Sequence, residues 1–99
     1  MRFSIIIVTY NQETTISKTI DSCINQDFND YEIIICDDCS LDLTGELVRS
    51  FTNSKIKYFR HELNLGEYEN RTFGIQKSVG EYIIFIDGED LLYQNALSH

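Results

Sequence analysis

Ninety-nine residues make one domain, and a folded monomer of this size exposes ~5,800 Å². Hydrophobic residues at 42% and charged residues at 24% are ordinary globular values and exclude a disordered chain. Eight Lys and Arg against sixteen Asp and Glu leave a charge of −8, which repels nucleic acid and means that a phosphorylated ligand calls for a cation. No apolar run approaches the ~20 residues of a membrane span, and Met1 and Arg2 lead straight into a strand-like segment. The expected location is the cytoplasm.

The first element is a strand over Phe3 to Thr9 (F-S-I-I-I-V-T). After Asn11, a candidate N-cap, Ile16, Ile20, Cys23 and Ile24 follow helical spacing. Tyr31 to Cys36 (Y-E-I-I-I-C) is a second strand, followed by a helix in which Asp42 is the candidate cap and Leu43, Leu47, Val48 and Phe51 form the apolar stripe. Lys55 to Arg60 alternates and reads as a more exposed strand near an edge. A third helix runs from about Glu67 to Val79, with Tyr68, Ile75 and Val79 on its inner face and Gly80 in the position after its end. Glu81 to Ile86 closes the series as a strand. The first, second and last strands are nearly continuous apolar runs, which fits burial on both faces of a parallel sheet. The order β-α-β-α-β-α-β over residues 1–99 predicts a single α/β domain, a Rossmann-like, mostly parallel sheet with flanking helices and right-handed crossovers.

Cys23, Cys36 and Cys39 are odd in number, which argues against a disulfide framework. Cys36 and Cys39 stand in C-x-x-C spacing, but a thioredoxin-type site wants a proline, and the chain has none. A structural zinc site needs four ligands, and Cys23, His61 and His99 are the only further candidates. Reduced core and loop cysteines are the simpler reading, and both histidines are read as structural.

Open α/β sheets bind ligands at the carboxyl ends of their strands. The residues there are Thr9-Tyr10-Asn11, Asp37-Asp38-Cys39-Ser40 and Asp87-Gly88-Glu89-Asp90. Acids after two separate buried strands converge on one rim and predict a divalent-cation or nucleotide site. The plainer alternative is that Asp37 and Asp38 cap a helix, Tyr10 packs at a strand end, Arg71 pairs on a helix face, and Asn64 and Gly66 shape a turn.

In order along the chain, Ser4 to Asn11 resembles the S-[IV]-[IV]-[IV]-P-T-Y-N opening of family 2 glycosyltransferases. Ser22 to Gln26 is similar to their S-[IVL]-L-x-Q segment, and Asp37 to Asp42 to their D-D-G-S-T-D. Asn64-Leu65-Gly66, Arg71, Gly74-Ile75 and Gly80 to Ile83 match further stations, and Asp87 to Asp90 stands where a D-x-D-D metal motif belongs. This resemblance implies a GT-A fold, truncated after that motif, and transfer of a sugar from a nucleoside diphosphate donor, expected to be UDP-linked, to a hydroxyl of a glycan or protein acceptor with inversion. It implies nucleotide contacts from Val8, Thr9, Tyr10, Asp38, Arg71, Asp87 and Gly88. Asp38 would meet the imide N–H of uracil, Tyr10 would stack on the base, and Gly88 would allow close backbone approach. Mn²⁺ or Mg²⁺ would sit on Asp87 and Glu89, with Asp90 as a further ligand.

The chain departs from the pattern in places. Val8 replaces a proline, Cys39 a glycine, Leu41 a threonine, Thr72 an asparagine and Glu89 an aspartate. The general base is expected beyond His99, so these 99 residues alone are expected to bind the donor without transferring sugar. An unfinished sheet with Tyr82, Phe85, Leu91, Leu92 and Tyr93 nearby predicts a homo-oligomer. Two readings from other classes stand beside this one. The first is a nucleotide-binding or oligomerisation module without catalysis. The second is a receiver-like domain phosphorylated on Asp87.

Overall fold

The computed structural model describes residues 2–98. In chain order the elements are β1 (Phe3–Thr9), α1 (Ile16–Ile24), β2 (Tyr31–Asp37), α2 (Thr44–Arg49), β3 (Ile56–Arg60), α3 (Glu67–Lys77) and β4 (Tyr82–Asp87). The four strands form one parallel sheet in the order β3-β2-β1-β4. The chain exposes 5786 Å², the value expected of a compact monomer of its mass.

The isoleucine runs explain the centre of the sheet. Ile5, Ile6 and Ile7 of β1 lie beside Ile33, Ile34 and Ile35 of β2 in register. Alternation sends Ile5, Ile7, Ile33 and Ile35 to one face, where they pack with Ile16, Ile20 and Cys23 of α1 and Val48 of α2. Ile6, Val8, Ile34 and Cys36 take the other face, with Phe73 of α3 and Phe59 of β3 against them. Both faces of β1 and β2 are therefore dry, as their unbroken apolar runs require. Burial raises the thiols of Cys23 and Cys36, to about 11 and about 12 respectively.

Four local expectations need correction. The last strand is an edge strand, with Tyr82, Ile83 and Phe85 exposed and Ile86 its one buried residue. Its face is open because α3 packs chiefly over β2 and β1. The second correction concerns α3 itself. Tyr68, Ile75 and Val79 point outwards, and Asn70 and Gly74 are the buried positions. A Cβ at Gly74 would stand 2.6 Å from Ile6 Cγ2, so the helix lies closer to the sheet than any larger residue permits. Third, Asn11 does not cap α1. It has φ 50°, a left-handed conformation that Asn tolerates, and α1 begins after Thr15. Gly80 likewise does not end α3, which stops at Lys77.

At the amino end of the sheet a buried carboxylate joins four segments. Glu32 of β2 accepts from Ser4 Oγ (2.6 Å), Lys57 Nζ (2.9 Å) and the Val79 N–H (2.7 Å). Ser4 Oγ in turn accepts the Gly80 N–H at 2.8 Å. Burial alone would raise the Glu32 carboxyl, but the bonds from Lys57, Ser4 and Val79 outweigh it and hold the group below the usual range.

Two predictions follow from these local structures. Glu32 has a lower pKa folded than unfolded, so the unfolded chain binds the extra proton. Its stabilisation is complete above the unfolded glutamate value of ~4.3 and is lost as pH falls through the lower folded value. Denaturant unfolding from pH 3 to 7 should show that decline, and Glu32→Gln should flatten it while costing about 2 kcal/mol at pH 7. Cys39 sits at φ 71°, a conformation that costs a side-chain-bearing residue ~1–2 kcal/mol. Glycine there relieves this strain but gains ~0.4–1 kcal/mol of unfolded-chain freedom. Cys39→Gly should therefore raise stability by about 0.5 kcal/mol, read from the same denaturant curves.

Candidate functional site

Because the strands are parallel and paired in register, their polar ends meet on one rim. Thr9 pairs with Asp37, and Val8 with Asp87. Two adjoining clefts open there. The larger, about 450 Å³, is lined by Val8, Arg71, Phe85, Ile86, Asp87 and Asp90 with Leu91 and Leu92. The smaller, about 170 Å³, is lined by Val8, Thr9, Tyr10, Asp38, Glu67, Asn70 and Asp87. Val8 and Asp87 form the wall common to both. The rim thus brings together Val8, Thr9, Tyr10, Asp38, Arg71, Asp87 and Asp90 of the expected residues, and Gly88 and Glu89 line neither cleft.

The loops after β1 and β2 are tied together by side chains that satisfy backbone groups. The Asn11 N–H donates to Ser40 Oγ (2.9 Å), and Asn11 Oδ1 accepts the Leu41 N–H (2.8 Å). The Gln12 N–H donates to Thr44 Oγ1 at 2.9 Å. Asp42 Oδ1 accepts the N–H and hydroxyl of Thr44, so Asp42 secures the start of α2 from one residue before its cap.

The adjacent acids after β2 have different tasks. Asp37 is wholly buried and accepts from the Ser40 N–H (2.9 Å), Ser40 Oγ (2.5 Å) and Tyr58 Oη (2.5 Å). It builds the turn and does not line either cleft. Burial, and then the Asp37 carboxylate, push the Tyr58 hydroxyl well above its ordinary value. Asp38 reaches the smaller cleft. Its Oδ1 accepts the Leu65 N–H (2.6 Å) and its Oδ2 the Gly66 N–H (3.0 Å), which holds the loop before α3. An ionised carboxylate has about four acceptor positions, so Asp38 retains capacity for a ligand donor.

Asp87 is the centre of the second acidic group. Its Oδ1 accepts from Gln12 Nε2 (2.6 Å) and from the Glu89 N–H (3.2 Å). Gly88 turns inwards. Its N–H donates to Val8 O, and its carbonyl accepts from Thr15 Oγ1 (2.9 Å) and Thr19 Oγ1 (3.0 Å). The close approach that Gly88 allows within the chain is to Thr9 and Gln12. Arg71 pairs with Glu67 at 2.7 Å and lies over the Phe85 ring, with its guanidinium on the larger cleft.

The donor set suits a hard cation, since Asp87 and Asp90 face the same cleft with oxygen donors alone. Among the described residues no group of three His, Cys, Asp or Glu converges, so the protein offers at most a pair of carboxylates. Mg²⁺ and its like are held in that way, with substrate phosphates and water completing the shell.

Two residues at this rim escaped the sequence reading. Gln12 spans Thr9 and Asp87, and Asn70, 2% exposed, ties α3 to the Cys36 carbonyl and to His61. The signal for Gln12 was its place directly after Thr9-Tyr10-Asn11. An amide there can give to a carboxylate and take from a hydroxyl at once. Asn70 gave one weaker sign, a polar residue one turn before Gly74.

The sequence model of glycosyl transferase family 2 matches residues 4–99. The Campylobacter jejuni GalNAc(5)-diNAcBac-PP-undecaprenol beta-1,3-glucosyltransferase is 37% identical over 98% of this chain, which covers 32% of that enzyme. Staphylococcus aureus TarS 1-349 in complex with UDP-GlcNAc superposes with a TM-score of 0.93 at 32% identity, over 99% of this chain and 29% of its own. GalNAc-T7 with UDP, GalNAc and Mn²⁺ gives 0.84 at 29% identity, over 95% of this chain and 19% of its own. The chain therefore spans a third or less of these relatives. Neither the receiver-like reading nor the non-catalytic module finds support among them. Among the described residues no helix is long and apolar enough to cross a membrane. With the family pattern running through nearly the whole sheet and its acidic rim, the chain belongs to glycosyl transferase family 2.

Proposed function

We propose that this chain is the donor-binding part of a glycosyltransferase, taking a UDP-sugar and a divalent cation at the rim for transfer of the sugar to an acceptor hydroxyl with inversion. The observation that carries this reading is the pair of clefts sharing Val8 and Asp87. One side presents Tyr10 and Asp38, suited to a base, and the other presents Asp87, Asp90 and Arg71, suited to a diphosphate. The UDP-GlcNAc bound by TarS and the UDP and Mn²⁺ bound by GalNAc-T7 support a uridine nucleotide with a metal here.

Each side chain has a distinct task on this reading. Tyr10, 46% exposed at the mouth of the smaller cleft, offers a ring for stacking. Asp38 accepts the imide N–H of uracil while still holding Leu65 and Gly66. Thr9 faces the ribose side, and Val8 closes the floor between base and diphosphate. Arg71 supplies positive charge on the larger cleft. Asp87 and Asp90 hold Mn²⁺ or Mg²⁺, with Glu89 as an outer carboxylate. When bound, the cation supplies Lewis-acid stabilisation of the charge that develops on the departing diphosphate.

Calorimetry with UDP tests the metal dependence. Binding should be strong with Mn²⁺, should fall at least tenfold in chelator, and should fall by a similar factor with Asp87→Ala. Equal affinity with and without metal would overturn the cation site. A second titration tests the base. Asp38→Asn leaves one carbonyl to serve both the loop and the imide, so UDP binding should weaken about tenfold. Affinity for pyrophosphate should not change.

A further inference from the structure

We infer that Gln12 is the positioning residue of the cation site, holding the Asp87 carboxylate in its binding orientation through a hydrogen-bond chain from Thr9. This inference rests on the donor-site reading above and adds to it a residue outside the acidic motif.

The chain runs Thr9 Oγ1 to Gln12 Oε1 at 2.7 Å, then Gln12 Nε2 to Asp87 Oδ1 at 2.6 Å. Chemistry fixes its direction. A carboxylate only accepts, so it must face the NH₂ of the amide, and the carbonyl oxygen must then face the Thr9 hydroxyl, which donates. A flipped amide would set its oxygen against a negatively charged one. The chain therefore has one satisfied arrangement, and in it Asp87 Oδ1 is held by Gln12 and by the Glu89 N–H. With Oδ1 held from two directions, the carboxylate has little freedom to rotate, and its remaining acceptor capacity is presented to the cleft that Asp87 lines.

Gly88 packs against this chain. A Cβ at this position would lie 2.2 Å from Gln12 Oε1 and 2.6 Å from Thr9 Oγ1. The residue between Asp87 and Glu89 is small because the amide of Gln12 occupies the space that a side chain would need. Gln12 is itself anchored, since its N–H donates to Thr44 Oγ1 at the start of α2. Partners of this kind orient metal ligands, and removing one typically lowers metal affinity ~10–100-fold.

The test uses Gln12→Met, which keeps length and loses the amide, and Gln12→Asn, which keeps the amide and loses reach. Mn²⁺ binding is followed by the electron paramagnetic resonance signal of the free ion in saturating UDP. UDP binding in chelator is measured separately, and thermal unfolding reports whether each variant folds. The expected result is a loss of about tenfold in Mn²⁺ affinity for a folded variant, with metal-free UDP affinity within about twofold of wild type. Unchanged Mn²⁺ affinity in either folded variant would overturn the positioning role. A parallel loss of metal-free UDP affinity would also overturn it, by marking Gln12 as a general brace. Failure of the wild-type chain to bind Mn²⁺ with UDP is a different result, which would overturn the donor-site reading itself.

Discussion

The placement of β1 between β2 and β4, with its neighbours parallel and in register, decides where polar chemistry can occur. Ile5, Ile6 and Ile7 are fully buried, so the middle of the strand is apolar on both faces, and buried polar groups such as Ser4 and Glu32 are admitted only with hydrogen-bond partners. The apolar run ends within one residue of the same level on all three strands. Beyond Val8 comes Thr9, beyond Cys36 comes Asp37, and beyond Ile86 comes Asp87. Parallel pairing brings these three sequence positions, far apart in the chain, to one rim, with Asp87 opposite Val8 and Thr9 opposite Asp37. An antiparallel arrangement would have sent one of them to the opposite end of the sheet.

Most of the polar groups on that rim are first used to satisfy the chain. Asp37 folds the turn that carries Cys39 and Ser40, Asp38 holds the approach to α3, and Asp42 secures α2. Bonds of this type contribute only ~1 kcal/mol each, so their larger effect is geometric. They hold two loops and a helix start in fixed relation before a ligand arrives, which lowers the ordering cost of binding. Asp87 is likewise held from another segment, by the Gln12 side chain that reaches across from the loop after β1.

The fold was legible wherever one physical requirement governed a segment. Unbroken isoleucine runs require burial on both faces, and β1 and β2 form as read. The alternating Lys55 to Arg60 run is an edge strand for the same reason. The reading failed where close packing outweighed hydrophobicity. Tyr68, Ile75 and Val79 are the large residues of α3, but the helix meets the sheet through Gly74 and Asn70, whose small size and amide suit a near approach. β4 looks buried because its composition matches β1, yet burial depends on what covers a strand, and a strand's own residues do not state that. The rim itself was legible in its acids, since charge after a buried strand has few explanations. Gln12 was not, because a bridge between Thr9 and Asp87 exists only once β1 and β4 are side by side.

Charge sets a final condition on the site. Asp38, Asp87 and Asp90 line the clefts against Arg71, whose guanidinium is already paired with Glu67. A diphosphate adds further negative charge to this surface, on a chain that already carries −8. Repulsion of that kind is strongest at a diphosphate and weak at an uncharged base, so the two halves of the proposed nucleotide would meet different electrostatic environments on one rim. A cation between the carboxylates and the phosphates reverses the sign of the interaction on one side and leaves the other nearly untouched. On the proposed donor-site reading the division of labour between the two clefts is thus an electrostatic one, and the Thr9–Gln12–Asp87 chain ends on the carboxylate that both clefts share.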